Sequence, residues 1–381
     1  MDVQLGIERP ARMAYGFDDV SIVPNRFSVE PELVDLSFRL GDHELGIPVV
    51  SSAMDAATGP ELVGELARLG GLGVVNLEGV FGRYDDPAGV IQEIRNAPAQ
   101  DAVATIQKVY AAPVKDEFVS ETVEGLSKLG VLFGVSSIPA SAERLAPIAR
   151  EARAPIFVVQ STVTTAVHEA KNYEPLDMAE FCRTCGMTVV VGNCVAYEAT
   201  LDLMRTGAAG VLIGVGPGYA CTSRRVLGIG VPQITATVDA AAARAAYEKE
   251  TGRHIAVITD GGMRCGGDVS KAIAAGADAV MLGTPISSSS ESPGRGYNWG
   301  MATTSAELPR GARVKSEMLG SLEEILFGPT DRNDGTMNLV GALRLAMATC
   351  GAKTIGEMQQ AELVIAPAVA TEGKALQMKG V

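Results

Sequence analysis

The segment Gly214-Val215-Gly216-Pro217-Gly218-Tyr219-Ala220-Cys221-Thr222-Ser223-Arg224 concentrates more reactive chemistry than any other stretch of the chain. Glycines at 214, 216 and 218 let the backbone approach a bound group closely, or turn its carbonyls inward around a cation. The thiol of Cys221 follows, beside the hydroxyls of Thr222 and Ser223 and the guanidinium groups of Arg224 and Arg225. Hydrogen-bond donors and cations near a thiol favour the thiolate, which is the nucleophilic form. The bland alternative, a small buried cysteine in a tight loop, fits an isolated Cys better than one in this company. Two other turns have anion-binding features. Asp260-Gly261-Gly262 and Gly283-Thr284 offer backbone N–H groups that can replace water around a phosphate. Taken alone, Asp-Gly-Gly is an ordinary tight turn.

What must hold these turns in place can be read from the surrounding pattern. The 381 residues are 47% hydrophobic and only 5% aromatic, with 43 glycines, a balance that suits an α/β protein with many tight loops. Short apolar runs predict strands over 47–53, 72–76, 131–136, 156–160, 188–192, 210–214, 255–260 and 279–283. Amphipathic stretches over 60–69, 142–152, 196–206 and 269–275 lie between them, with Gly70, Gly207 and Gly276 placed as helix caps. The strand runs are continuously apolar, as expected where both faces are covered. Eight such units predict a (β/α)8 TIM barrel with an N-terminal extension, and put all three turns at the C-terminal ends of strands, where barrel enzymes place their active sites. The alternative, an open doubly wound sheet, lacks its Gly-rich turn after the first strand. A ninth run, 102–109, also reads as a strand. It falls in an elaborated connection, 77–129, that contains Pro87, Pro98 and Pro113. The irregular stretch 287–320 after the last strand reads as a lid, with a plain surface excursion as the alternative. Residues 1–381 are read as a single catalytic domain.

Bulk properties narrow the partners. Lys and Arg total 32 against 45 Asp and Glu, a formal charge of −13, which disfavours a nucleic-acid partner. An anionic small molecule remains compatible with a local cradle of N–H groups. The six cysteines, Cys182, Cys185, Cys194, Cys221, Cys265 and Cys350, form no regular framework and read as reduced thiols. Cys182-x-x-Cys185 suggests a zinc or redox pair but has neither a second pair nor a nearby histidine. The start of the chain lacks a basic-then-apolar signal, and no apolar run approaches membrane-spanning length. The expectation is a cytoplasmic protein with no membrane partner.

The motifs together resemble the IMP dehydrogenase and GMP reductase family. The resemblance runs through Phe17-Asp18-Asp19-Val20, Val23-Pro24, Ile47-Pro48-Val49-Val50-Ser51-Ser52-Ala53-Met54-Asp55 and Gly70-Gly71-Leu72-Gly73. It continues in Gly192-Asn193, the cysteine loop, Val231-Pro232-Gln233, the Asp260 turn, Gly266, Leu282-Gly283, Glu291-Ser292-Pro293-Gly294 and Glu372-Gly373. The regulatory domain pair that many IMP dehydrogenases insert after the second strand is absent, because 77–129 is too short to hold it.

The resemblance implies that Cys221 attacks C2 of a purine nucleotide such as IMP, with Ser223 assisting. It implies a nucleotide site formed by Ser52, Met54, Tyr219, Asp260, Gly261, Gly262, Gly283, Thr284, Trp299, Gly300 and Met301. It places an NAD site at Gln160, Ser161, Thr162, Asn193 and Gly214. A potassium ion would be held by carbonyls of Gly216, Gly218 and Cys221, with Glu372 and Gly373 reaching from a neighbouring subunit of a homotetramer.

Several positions depart from the family pattern. Ser223 stands for a usual threonine, and Tyr219 for a phosphate-binding serine. Gln160 replaces an aspartate expected to hold the nicotinamide ribose, and an amide is a weaker acceptor than a carboxylate. The lid lacks the family's water-activating Arg-Tyr pair, and Arg310 stands where Glu or Gln meets the purine. Arg310 and Arg313 are then the candidate bases. Missing the reductases' lid glutamate, the chain reads as an IMP dehydrogenase-like enzyme. GMP reductase and a nucleotide-binding regulatory protein with little turnover are the alternatives.

Overall fold

Eight short strands make one parallel sheet: β1 (Val49–Ser51), β2 (Gly73–Asn76), β3 (Phe133–Ser137), β4 (Ile156–Gln160), β5 (Thr188–Cys194), β6 (Gly210–Ile213), β7 (Ala256–Asp260) and β8 (Ala279–Leu282). Their order is β1-β8-β7-β6-β5-β4-β3-β2, and a parallel bridge between Val50 and Leu72 brings β1 against β2. The architecture is the TIM barrel that eight β/α units predict. This computed structural model describes residues 2–300 and 312–366.

Alternation along each strand explains why the runs are apolar throughout. Val74 faces the barrel interior with Val50, Ile156, Val158, Leu212 and Ile258, while its neighbour Val75 packs outward with Val63 and Val135. The interior cluster also takes in Phe38, Leu40 and Leu45. These come from a hairpin of the N-terminal extension, Phe38–Leu40 paired with His43–Leu45. The hairpin sits at the strands' N-terminal ends: a Cβ added at Gly210, the first residue of β6, would lie 2.9 Å from Leu40 Cδ1. That end is stoppered. The opposite rim carries the turns that could do chemistry.

The run 102–109 is not a strand. It forms the helix Ala102–Tyr110, buried at Ala102, Ile106, Val109 and Tyr110, the spacing of one helical face. Its β-branched residues suggested extension, but a short apolar run does not fix its own period. The connection holds two more helices, Pro87–Asn96 and Asp116–Ser127. In the expected lid, Tyr297–Trp299 pairs antiparallel with Arg313–Lys315, so the base of this region is a two-stranded ribbon. Among the described residues, no helix is long and apolar enough to cross a membrane.

Candidate functional site

A cavity of about 900 Å³ opens at the C-terminal ends of the strands. Its wall draws Ser52 and Met54 from the turn after β1, Gln160, Ser161 and Thr162 from β4 and its exit, and Asn193 from β5. The loop after β6 contributes Gly214, Gly216, Gly218, Tyr219, Cys221 and Ser223. Asp260 ends β7 and Gly261 and Gly262 follow it, Gly283 and Thr284 follow β8, and Gly300 follows the ribbon strand. The sequence thus brings together on one rim residues up to about 250 positions apart.

The cysteine loop is fixed by its own glycines and by two long side chains. Gly216 has φ +74°, and a Cβ there would meet Arg224 Cγ at 2.6 Å. Arg224 lies close enough to Cys221 for their charges to interact, as its place in the sequence suggested, but its hydrogen bonds go to the loop itself. Its Nε donates to Val215 O at 3.1 Å and its Nη2 to Val231 O at 2.6 Å, so it clamps the two ends of the loop. Beneath, Gln233 Nε2 donates to Ile213 O (2.6 Å) and Asp260 O (3.0 Å), tying the exits of β6 and β7 together. Gly214 must be glycine here, because a Cβ would lie 2.3 Å from Asp260 O. On this frame Cys221 is exposed to the cavity, with Sγ 3.4 Å from Oγ of the buried Ser223. Burial pushes the other five thiols up, Cys185 and Cys194 to about 11. Cys182, the first thiol of the Cys-x-x-Cys pair, contacts Thr206 Oγ1 at 3.6 Å.

Asp260 is the centre of the polar wall. Asn193 Nδ2 donates to its Oδ2 at 2.7 Å, Gln160 Nε2 to the same oxygen at 3.2 Å, and Gln160 Nε2 also to Asn193 Oδ1 at 2.9 Å. Burial pushes this carboxyl up to about 6 against the two amide hydrogen bonds. The amide at position 160 therefore does something a carboxylate could not: it donates to Asp260. A second acid there would confront it with like charge.

Close approaches bring the remaining turns together. A Cβ on Gly262 would lie 3.0 Å from Pro217 Cβ, and one on Gly283 3.3 Å from Ser52 Oγ. Thr284 Oγ1 accepts from Asn298 Nδ2 at 2.8 Å, while Asn298 Oδ1, buried in the cavity wall, has no partner among the described residues. Sequence reading missed Asn298, although the resemblance had singled out the adjoining Trp299 and Gly300. It also missed Arg332, which lines the cavity and pairs with Glu317 at 2.9 Å. Two expectations need correction. Trp299 is not part of the wall: its indole is fully buried among Ala56, Val80, Ile91 and Ile106, because alternation along the ribbon turns it away from Asn298 and Gly300. Arg313 is committed elsewhere, donating to Ile94 O (2.6 Å) and Arg95 O (2.9 Å) with its guanidinium over Tyr297. Met301, Arg310, Glu372 and Gly373 lie outside the described residues.

The loop suits a potassium ion in its donor chemistry. Neither Gly216 O nor Cys221 O accepts a backbone hydrogen bond among the described residues, and Gly218 O accepts one, from Cys221 N at 3.0 Å. Carbonyls with free lone pairs are hard donors of the kind such a cation takes. No cluster of three or more His, Cys, Asp or Glu suited to another metal occurs among the described residues.

A parallel barrel with a glycine-rich cysteine loop on its C-terminal rim has counterparts among known proteins. The IMP dehydrogenase / GMP reductase domain matches residues 14–375, and the chain belongs to that family. An uncharacterized oxidoreductase of Mycolicibacterium smegmatis is 39% identical over 372 residues, covering 95% of this chain and 99% of its own. The inosine-5'-monophosphate dehydrogenase of Borreliella burgdorferi is 31% identical over 388 residues, covering 91% and 92%. The crystal structure of an IMP dehydrogenase/GMP reductase-like protein from Corynebacterium glutamicum superposes with a TM-score of 0.90 at 35% identity, over 96% of this chain and 97% of that one.

Proposed function

We propose that the protein oxidises IMP to XMP, with NAD as hydride acceptor. The observation that carries this reading is Cys221: of the six thiols it alone is exposed, and it faces the cavity with a hydroxyl at 3.4 Å. Its sulfur would attack C2 of the purine, forming a C–S bond. Gln160, Ser161, Thr162, Asn193 and Gly214 would hold NAD, which would supply the acceptor for the hydride lost from C2. Water then adds at C2, the C–S bond breaks, and XMP departs with the thiol restored. Asp260 would accept the ribose hydroxyls, and the turns at Gly262, Gly283 and Thr284, with Asn298, would take the phosphate. Gly216, Gly218 and Cys221 would hold potassium and so fix the loop's shape, with Glu372 and Gly373 completing the site across a homotetramer interface. Arg310 is the proposed water-activating residue.

GMP reduction is the second reading, favoured by one observation. Glu317 places a carboxyl group on the cavity wall that, in its protonated form, would give a proton to a departing amine. The deciding experiment follows absorbance at 340 nm with IMP plus NAD and, separately, GMP plus NADPH, each in potassium and in lithium. Potassium-dependent NADH production from IMP is expected. Turnover with GMP alone would reverse the assignment, and turnover with neither would favour a regulatory binder.

A further inference from the structure

Trp299 and Asp55 are both hidden behind the cavity wall, yet each is next in sequence to residues that form it. Met54 lines the cavity immediately before Asp55, and Asn298 and Gly300 line it on either side of Trp299. The two walls touch, since a Cβ added at Gly300 would lie 3.8 Å from Met54 Cε. What joins them from behind is one phenol. Tyr110 Oη donates to Asp55 Oδ2 at 2.6 Å and accepts from Trp299 Nε1 at 3.3 Å. Tyr110 is the last residue of the helix Ala102–Tyr110, in the connection between β2 and β3. That helix packs Ile106, Val109 and Tyr110 against Trp299 and Ala56.

The chemistry of this contact is unusual for a packing residue. Asp55 is buried, its Oδ2 also accepts from Val80 N at 2.7 Å, and its Oδ1 has no partner among the described residues. Burial pushes the carboxyl up to about 6, opposed by the Tyr110 and Val80 hydrogen bonds and by the charge of Arg83. Arg83 itself donates to Glu78 O (2.8 Å) and to Ala112 O, with its guanidinium 5.9 Å from the Tyr110 ring. Glu78 is occupied by Ile138 N and Ser141 Oγ, and Arg313 by the carbonyls of Ile94 and Arg95. No cation hydrogen-bonds to Asp55 among the described residues. A carboxylate kept in such a place needs the phenol, and without it both walls lose their common anchor.

We propose that Tyr110 is a positioning residue for the nucleotide-binding wall, setting the turn after β1 and the strand Tyr297–Trp299 through Asp55 and Trp299. The proposal rests on the nucleotide reading given above. It assigns to the connection a part in substrate binding, although none of its helices supplies a residue that reaches the cavity.

The test exploits Trp299 as the only tryptophan in the chain. In the full-length protein, its fluorescence should show a pH step near 6 as Asp55 protonates. Tyr110→Phe keeps the ring but removes a hydrogen bond to the charged carboxylate, so the step should move to higher pH. The same variant should raise KM for the nucleotide about tenfold while kcat stays within about twofold. Asp55→Asn should abolish the step, and serves as the test if Tyr110→Phe fails to fold. An unchanged step in Tyr110→Phe, a step persisting in Asp55→Asn, or a fall in kcat at constant KM would each overturn the proposal. Should the wild-type protein bind no purine nucleotide, the substrate reading fails, while the fluorescence titration still decides whether Tyr110, Asp55 and Trp299 act together.

Discussion

Asp260 and Asp278 sit at opposite ends of the barrel, and their surroundings differ in kind. Burial acts on both. At Asp278, just before β8, hydrogen bonding from His254 and the charge of Arg244 outweigh it and hold the carboxyl below its usual range. Arg244 donates to Oδ2, Gln359 Nε2 to Oδ1 at 3.0 Å, His254 Nε2 approaches to 3.3 Å, and Val257 N donates at 2.8 Å. At Asp260, neutral amides are the only side-chain donors among the described residues, and burial pushes the carboxyl up to about 6. A buried acid ringed by cations and N–H groups locks helices and strands in place. One left with neutral partners beside a cavity is held ready for a ligand.

The largest effect expected on the cavity rim belongs to Cys221, the proposed nucleophile. Cys221→Ala should lower turnover by roughly three orders of magnitude or more, while nucleotide affinity by calorimetry stays within about tenfold, because the thiol supplies bond making rather than most of the binding. Substantial remaining turnover would remove the thiol from the mechanism and with it the chemical meaning of that rim.

The two aspartates give the sharpest contrast. Asp278→Ala leaves the Arg244 guanidinium buried without its carboxylate and should cost about 3–5 kcal/mol in urea unfolding. Asp260→Asn should do the reverse at pH 7. Its folded-state pKa of about 6 lies above the ordinary value of 3.8, so its stabilising contribution is full below 3.8 and lost as pH rises through 6. Replacing it should therefore raise the thermal midpoint at pH 7, raise it less at pH 5, and weaken nucleotide binding at both. Equal stability losses at the two positions would erase the distinction.

A smaller effect tests the lid. Arg310→Gln should preserve the rapid burst of NADH and slow the steady state about tenfold if Arg310 activates water. A raised KM with an unchanged ratio of burst to steady state would make it a binding residue, the usual role of a guanidinium that stays protonated.

The barrel was legible because its signal is local and repeated: apolar runs of strand length, helices between them, glycines where helices end. The place of the cysteine loop on the cavity wall was legible because glycine, hydroxyl and thiol crowd into eleven residues after a strand. What escaped depends on which way a side chain turns. Trp299 and Asn298 are neighbours, and only the register of the ribbon decides that the amide meets the cavity and the indole does not. That Arg224 lies near the thiol was legible from its three-residue separation, but not that its hydrogen bonds go to the carbonyls of Val215 and Val231. The helix Ala102–Tyr110 was read as a strand because β-branched residues favour extension, and packing against Trp299 and Ile94 overrode that preference.

The hairpin Phe38–Leu40 with His43–Leu45 has a consequence for how such a scaffold can be altered. By filling the strands' N-terminal mouth with Phe38, Leu40 and Leu45, it gives the barrel a cohesive half that owes nothing to the loops at the far rim. Loop transplants between relatives can then be attempted one strand exit at a time, with the graft judged on its chemistry while the other half keeps the chain folded.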